Sequence, residues 1–218
     1  MSDLKWDDDD GNEVIAETDL QKAEALLKYF SSVYVTEDDE VFEDLDNRVS
    51  DSFICMPEFN LCEEDVRIKL QKLNINKSPG CDKLYPKLLF ELKDVIGHPM
   101  FLIFKKSLEI GKLPTDWKLA EVTAIFKKGA KTDRGNYRPV SLTSVCCKLL
   151  ESLIRDHAMS YLLDNSLLSN RQYGFIKGRS TMLQLLHMMD KWTEFLEYGG
   201  QIDVMYSDFQ KAFDRVPH

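Results

Sequence analysis

The sequence has no run of apolar residues approaching the roughly 18–20 needed to cross a bilayer. It has no apolar signal core in its acidic first ten residues, Met1 to Asp10, so an intracellular protein, cytoplasmic or nuclear, is expected rather than a secreted one. Cysteine is sparse and unpatterned. Cys55, Cys62, Cys81, Cys146 and Cys147 are odd in number and include no Cys-x-x-Cys pair, which argues against a zinc site or a disulfide framework and for reduced thiols. The histidines His98, His157, His187 and His218 show no metal-ligand spacing. There are no internal repeats. The chain also lacks an excess of positive charge: 28 Lys+Arg stand against 37 Asp+Glu, a net of −9. Taken whole, that disfavours a nucleic-acid partner, because phosphate contacts need a basic surface.

What is present is a globular composition, 44% hydrophobic over 218 residues, enough for one sizeable core. The charge is divided. Residues 1–60 hold 18 acidic and 4 basic residues, and residues 61–218 hold 19 acidic and 24 basic. An acidic head at −14 precedes a mildly basic body at +5, and the two are read separately.

In the head, the acidic run Asp7 to Asp10 cannot bury itself, so residues 1–18 are expected to be disordered. Residues 19–31 read as a helix with Leu20, Ala23, Leu27 and Phe30 on its core face. Residues 36–59 read as a loosely ordered linker. In the body, Glu63, Glu64 and Asp65 open a helix whose stripe is Val66, Leu70 and Leu73. Asn76 to Lys83 is a loop with Pro-Gly punctuation. Pro86 opens a helix that Gly97 ends, and Pro99 opens another that Gly111 closes, giving a helical hairpin.

Glu121 to Phe126 alternates and is β-rich, so it reads as a strand. Its partner is Arg138 to Thr143, with Pro139 limiting it to an edge. Ser144 caps a helix bearing Leu149, Leu150, Leu153, Ile154 and Leu162. Ser180 caps a second, carrying Leu183, Leu186 and Trp192, with Met182, Met188 and Met189 as packing residues. Ile202 to Ser207 reads as a strand delivering Asp208 at its C-terminal end. A chain that stops ten residues beyond that carboxylate reads as an interrupted domain.

Two constellations carry chemistry. Lys127, Lys128, Lys131, Arg134 and Arg138 cluster on the strand–turn–strand. Lysine offers point charges and arginine a bidentate fork to phosphate; the plain alternative is a solvated turn. Asp208 at a strand end is suited to hold Mg²⁺ beside a phosphate. Two-metal phosphoryl transfer needs a second carboxylate. Asp203, five residues earlier, points to the opposite face of a strand. Asp214, beyond the strand end, reads better as a cap or as a partner for Lys211 or Arg215.

The order of motifs carries more weight than either cluster. Asn136-Tyr-Arg-Pro-Val-Ser-Leu142, Gln172-Tyr-Gly-Phe175 with Gly178-Arg-Ser-Thr181, and Ser207-Asp-Phe-Gln-Lys-Ala-Phe-Asp214 with Val216-Pro-His218 follow one another. That succession resembles the reverse transcriptase of non-LTR (LINE-type) retrotransposons. Upstream, Lys77-Ser-Pro-Gly-Cys-Asp82, Leu113-Pro-Thr-Asp-Trp-Lys118 and Ile125-Phe-Lys-Lys-Gly129 look like that family's fingers motifs. The head, with Lys28-Tyr-Phe-Ser-Ser-Val-Tyr34 and Thr36-Glu-Asp38, is similar to the segment joining the family's endonuclease to its polymerase. The likeness covers residues 20–218.

The resemblance implies an α+β right-hand polymerase fragment, mostly helical, with a small β-hairpin and an incomplete palm sheet. Residues 1–60 would be an acidic, partly disordered linker with one helix. Residues 61–201 would be fingers and N-terminal extension, and 202–218 the first palm strand. Asp208 would be the first catalytic carboxylate, holding both Mg²⁺ ions with help from the Phe209 backbone carbonyl.

Phe213 would lie under the incoming sugar and exclude a 2′-hydroxyl. Lys127 and Arg138 would clamp the triphosphate, with Lys128 the alternative to Lys127 because the Lys-Lys pair leaves the register open. Gln172, Gly174 and Phe175 would shape the template and nucleotide pocket. Ser78, Pro79, Gly80 and Asp82 would cover the template strand.

The implied partners are an RNA template, a DNA primer and a dNTP, with no membrane. The implied reaction is attack of a primer 3′-hydroxyl on the α-phosphate.

The departures are specific. The family's Tyr-x-Asp-Asp motif, its template-gripping segment, thumb and endonuclease are absent from these residues. Ser207 replaces a hydrophobic residue, and Gln210 and Arg215 replace small ones. The fragment alone is therefore expected not to polymerise. The competing readings are a non-catalytic remnant that binds nucleic acid through residues 105–138, where nine basic residues face four acidic ones, and a protein-interaction fragment using the head.

Overall fold

A computed structural model describes residues 2–7, 13–35, 55–209, 211–212 and 215–216. The linker expected over 36–59 lies outside the described residues except for 55–59. The chain divides into two compact units, residues 1–156 with 211–218, and residues 157–210. The architecture is helical with two small antiparallel hairpins. Among the described residues no helix is long and apolar enough to cross a membrane.

The first unit has two cores. One is assembled from helices α2 (Glu63–Gln71), α3 (Pro86–Glu91), α4 (Lys93–Ile110) and α5 (Val145–Asp164). Val66 and Leu70 of α2, Leu89 of α3, Met100 and Phe104 of α4 and Leu149, Leu150 and Leu153 of α5 are buried together, with Trp117 packed against them. The α2 stripe and the Ser144 cap fall where the sequence places them. Ser144 Oγ accepts from the Cys146 and Cys147 N–H groups at 3.2 and 3.4 Å. It thus satisfies helix-terminal donors in a buried setting.

The expected helical hairpin is corrected. The chain breaks at Leu92, and α4 runs through Gly97 and Pro99 without interruption. Gly97, Met100, Phe104 and Ser107 are buried on one stripe of α4. Burying that stripe outweighs the single hydrogen bond that Pro99 removes. Gly97 serves close approach rather than termination: a Cβ there would stand 2.9 Å from Arg67 Cγ. Gly111 does end the helix, at φ +64.

Arg67 and His98 converge on Glu63. Arg67 Nη2 donates to Oε1 at 2.9 Å, and His98 Nδ1 lies 2.6 Å from Oε2. The His98 contact first, then Arg67, holds the Glu63 carboxyl below its ordinary range.

The second core corrects the expectation of disorder over 1–18 for residues 2–7 and 13–18; residues 1 and 8–12 lie outside the described residues. Strands β1 (Leu4–Asp7) and β2 (Glu13–Ala16) pair antiparallel, Leu4 opposite Ala16, and both of these residues are fully buried. Helix α1 (Asp19–Ser31) opens on a reciprocal cap: Thr18 Oγ1 accepts from the Gln21 N–H at 3.3 Å, and Gln21 Oε1 from the Thr18 N–H at 3.1 Å.

The helix has the expected bounds but a rotated face. Ala25, Leu26 and Phe30 are buried, as is Lys22, whose ammonium pairs with Asp3 at 3.0 Å. Leu20 and Leu27 are exposed. The described part of this head lies on the second hairpin, strands β3 (Ala120–Phe126) and β4 (Tyr137–Thr143), burying Tyr137 with Ala124 and Phe126 beside it. The apolar face of β3–β4 needs cover, and the four-residue strands β1 and β2 with α1 supply it. Strands that short leave too weak a pattern to read.

In the second unit, α5 continues beyond His157, and helix α6 (Thr181–Glu197) starts at the expected cap, Ser180 Oγ accepting from the Leu183 N–H at 3.2 Å. The packing expected of α6 is corrected: it buries no residue, Leu183, Leu186, Met182 and Met189 are exposed, and Trp192 is half-buried. The strand expected at 202–207 is not formed, and Met205 and Tyr206 are 92% and 87% exposed. A strand's backbone groups need a neighbour, and among the described residues none pairs with this segment.

Candidate nucleic-acid and nucleotide site

The β3–β4 register fixes which basic side chains share a face. Ile125 stands opposite Arg138 and Phe126 opposite Tyr137. Pairing continues one residue past the strand, the Lys127 N–H donating to the Asn136 carbonyl at 2.8 Å. With a period of two, Lys127, Ile125 and Arg138 point away from the face on which Phe126 and Tyr137 meet the head. Lys128 lies one residue beyond this last pairing, outside the strand. All three cations are exposed.

The turn between the strands is held by its own polar groups. Asp133 Oδ1 accepts from the Gly135 N–H at 2.8 Å, Asn136 Nδ2 donates to the Ala130 carbonyl at 3.0 Å, and the Tyr137 hydroxyl donates to the Lys131 carbonyl at 2.7 Å. Strand β1 adds a bond from outside, the Lys5 N–H to the Thr132 carbonyl at 2.8 Å.

The 76–83 loop is a loop as expected, and it packs on the far end of the same hairpin. Gly80 is buried, and a Cβ there would stand 2.5 Å from the Thr143 carbonyl oxygen and 2.7 Å from the Ser144 nitrogen. Those atoms belong to backbone that the Ser144 cap already holds. Gly80→Ala is therefore expected to lower the stability of the 218-residue chain by about 1–3 kcal/mol, read as a fall in the urea midpoint.

Ser78 is exposed and Pro79 half-buried. Asp82 Oδ1 accepts from the Leu84 N–H at 3.1 Å, while its Oδ2 is buried with no hydrogen-bond partner among the described residues. Lys83 Nζ reaches Glu121 Oε2 on β3 at 3.2 Å, and that carboxylate raises the lysine pKa. Burial, and then the charge of Asp82, push the Cys146 thiol up to about 11, so it stays protonated at neutral pH.

The remaining candidates lie in the second unit. Gln172 Nε2 donates to the Gly174 carbonyl at 3.4 Å. Arg179 gathers the carbonyls of Ser169, Asn170 and Gln172. A Cβ at Gly174 would meet nothing within 4 Å, so the chain's own packing does not demand glycine there. Phe175 takes φ +62 and is 92% exposed.

Asp208 and Phe209 are exposed in an irregular segment. Phe213 lies outside the described residues. Among the described residues no group of three His, Cys, Asp or Glu could hold a metal ion. Sequence reasoning missed Tyr29 of α1, which lies within reach of both Arg134 and Lys211; one tyrosine on an amphipathic helix gives no signal of its own.

Residues 125–218 match the reverse transcriptase (RNA-dependent DNA polymerase) family. Over those residues the chain belongs to that family, in its non-LTR retrotransposon branch. Among individual relatives, the probable RNA-directed DNA polymerase from transposon BS of Drosophila melanogaster is 30% identical over 156 residues, covering 71% of this chain and 17% of that protein. The RNA-directed DNA polymerase from mobile element jockey of the same species is 32% identical over the same shares. The probable enzyme from its transposon X-element is 26% identical over 217 residues, 96% of this chain and 24% of the relative, so that likeness extends through the acidic head. The chain thus spans about a sixth to a quarter of the length of these relatives.

Proposed function

We propose that this chain is the fingers and the start of the palm of an RNA-directed DNA polymerase, taking an RNA template, a DNA primer and dNTPs inside the cell. Residues 61–201 are assigned to the fingers and N-terminal extension and 202–218 to the opening of the palm. The observation that carries the reading is the shared outward face of Lys127 and Arg138 on the hairpin where the family match begins.

A point charge and a guanidinium fork on one face are the combination that suits a triphosphate losing pyrophosphate. The strand alternation favours Lys127 over Lys128 as the partner of Arg138. Gly80 and Asp82, held at the other end of the hairpin, are assigned with Ser78 and Pro79 to the template strand. Gln172, Gly174 and Phe175 are assigned to the nucleotide pocket, and Phe213 to the sugar.

Asp208, with the Phe209 carbonyl, is assigned as one ligand of a divalent-metal pair, Mg²⁺ by family. The second carboxylate has to come from a Tyr-x-Asp-Asp motif. The 218 residues alone are accordingly expected to incorporate no dNTP.

Binding tests the phosphate face without requiring turnover. The chain is expected to bind an RNA–DNA hybrid with an affinity that falls as salt rises, and Lys127→Ala or Arg138→Ala is expected to reduce the slope of log K against log salt by about one each. Lys128→Ala changes it less. A slope unchanged by all three substitutions removes the phosphate role and favours the reading of the chain as a protein-interaction fragment that uses the head.

A further inference from the structure

Helix α1 presents one aromatic ring to cations from two distant parts of the chain. Lys211 Nζ lies 4.3 Å from the centroid of Tyr29 and donates to its hydroxyl oxygen at 2.9 Å, across 182 positions of sequence. The guanidinium of Arg134 lies 5.9 Å from the same centroid. Arg134 opens the short 3₁₀ turn Arg134–Asn136 leading into β4. Lys211 follows Asp208 by three residues and takes φ +53, a left-handed conformation uncommon for a side chain that is not glycine. All these contacts lie within the first unit.

We propose that Tyr29 is a positioning residue of the polymerase module: it anchors the segment that follows Asp208, and the turn of the phosphate-facing hairpin, to a single helix of the acidic head. The proposal rests on reading 207–214 as the catalytic motif. A cation over a ring face is attracted by the ring quadrupole, and the phenol oxygen adds a lone pair toward the ammonium. Lys211, three residues after Asp208, is therefore held by two contacts on one side chain.

The rest of the head fits this purpose. Leu4, Ala16, Leu26 and Phe30 fix α1 against Tyr137, so Tyr29 stands on a supported element rather than on a loose linker. An acidic head that served only as a spacer would need none of this packing.

The test is reductive methylation of the 218-residue chain with isotope-labelled formaldehyde, read lysine by lysine by mass spectrometry and NMR. The Lys211 methyl resonance is expected to be shifted upfield by the Tyr29 ring, and the residue to react about fivefold more slowly than in Tyr29→Leu. Tyr29→Phe retains the packing and the ring, so it is expected to keep the shift and to react at an intermediate rate. A Lys211 resonance at the position of an exposed lysine in the unaltered chain, or equal rates in all three proteins, overturns the anchor.

The functional arm uses a polypeptide joining these residues to a Tyr-x-Asp-Asp segment. Tyr29→Leu is expected to lower kcat for dNTP incorporation about fivefold at unchanged KM, with Tyr29→Phe restoring most of it. An unchanged kcat overturns the positioning role. If the polymerase reading itself is wrong, extension is independent of Asp208 while the Lys211 labelling stays as expected, so the two failures are separable.

Discussion

Phe104→Ala is expected to cost the chain about 3–5 kcal/mol, more than any other single truncation in the described core. Phe104 is completely buried and among the largest side chains so enclosed. It lies where α4 meets α2 and α5, with the Trp117 ring edge-on at 5.7 Å between centroids and 72° between planes. Removing the ring discards its transfer free energy, its aromatic contact and the packing of every neighbour, and helices fixed at both ends cannot collapse into the space.

The loss is a large fraction of what a domain of this size commonly has in hand. Chemical denaturation followed by far-UV circular dichroism is therefore expected to show most of the helical signal lost at a denaturant concentration the unaltered chain withstands. Leu20→Ala, on an exposed position of α1, is expected to leave the midpoint almost unchanged. A Phe104→Ala midpoint close to wild type would mean that the α2–α4–α5 core is not the element holding the first unit together.

The parts of this fold that were legible in the sequence are those whose cause is local. Ser144 and Ser180 announce helix starts because a hydroxyl and the N–H groups it caps lie within three residues. Gly111 announces an end because its backbone is left-handed. The β3–β4 hairpin is legible because two alternating runs flank a polar turn. The errors all have distant causes. Gly97 and Pro99 read as punctuation, yet Arg67 and the buried stripe of α4 decide that segment. The 202–207 run has strand composition, but a strand exists only where another lies beside it. The head hairpin has too few residues to show a period and depends on the exposed face of β3–β4 for its burial.

The candidate site follows the same division. Its residue types and their order could be read directly, and so could the presence of Lys127 and Arg138 on one hairpin. Which lysine shares the face of Arg138 could not, because the register depends on where pairing ends, at the Lys127–Asn136 bond. The charge division also acquires a structural meaning. Among the described residues, β1, β2 and α1 of the acidic head bury the face of the hairpin that carries Phe126 and Tyr137.

The central claim is that Asp208 is the first metal-holding carboxylate of a reverse transcriptase. The direct measurement is primer extension on an RNA template, with Mg²⁺ and dNTPs, by a polypeptide that joins these residues to a Tyr-x-Asp-Asp segment. One carboxylate of a two-metal site stabilises the transition state by several kcal/mol, so Asp208→Ala is expected to lower incorporation by about a thousandfold or more. Asp203→Ala, five residues earlier, is expected to leave it within about threefold. Extension that survives Asp208→Ala within about tenfold, or that falls equally in both variants, would contradict the account.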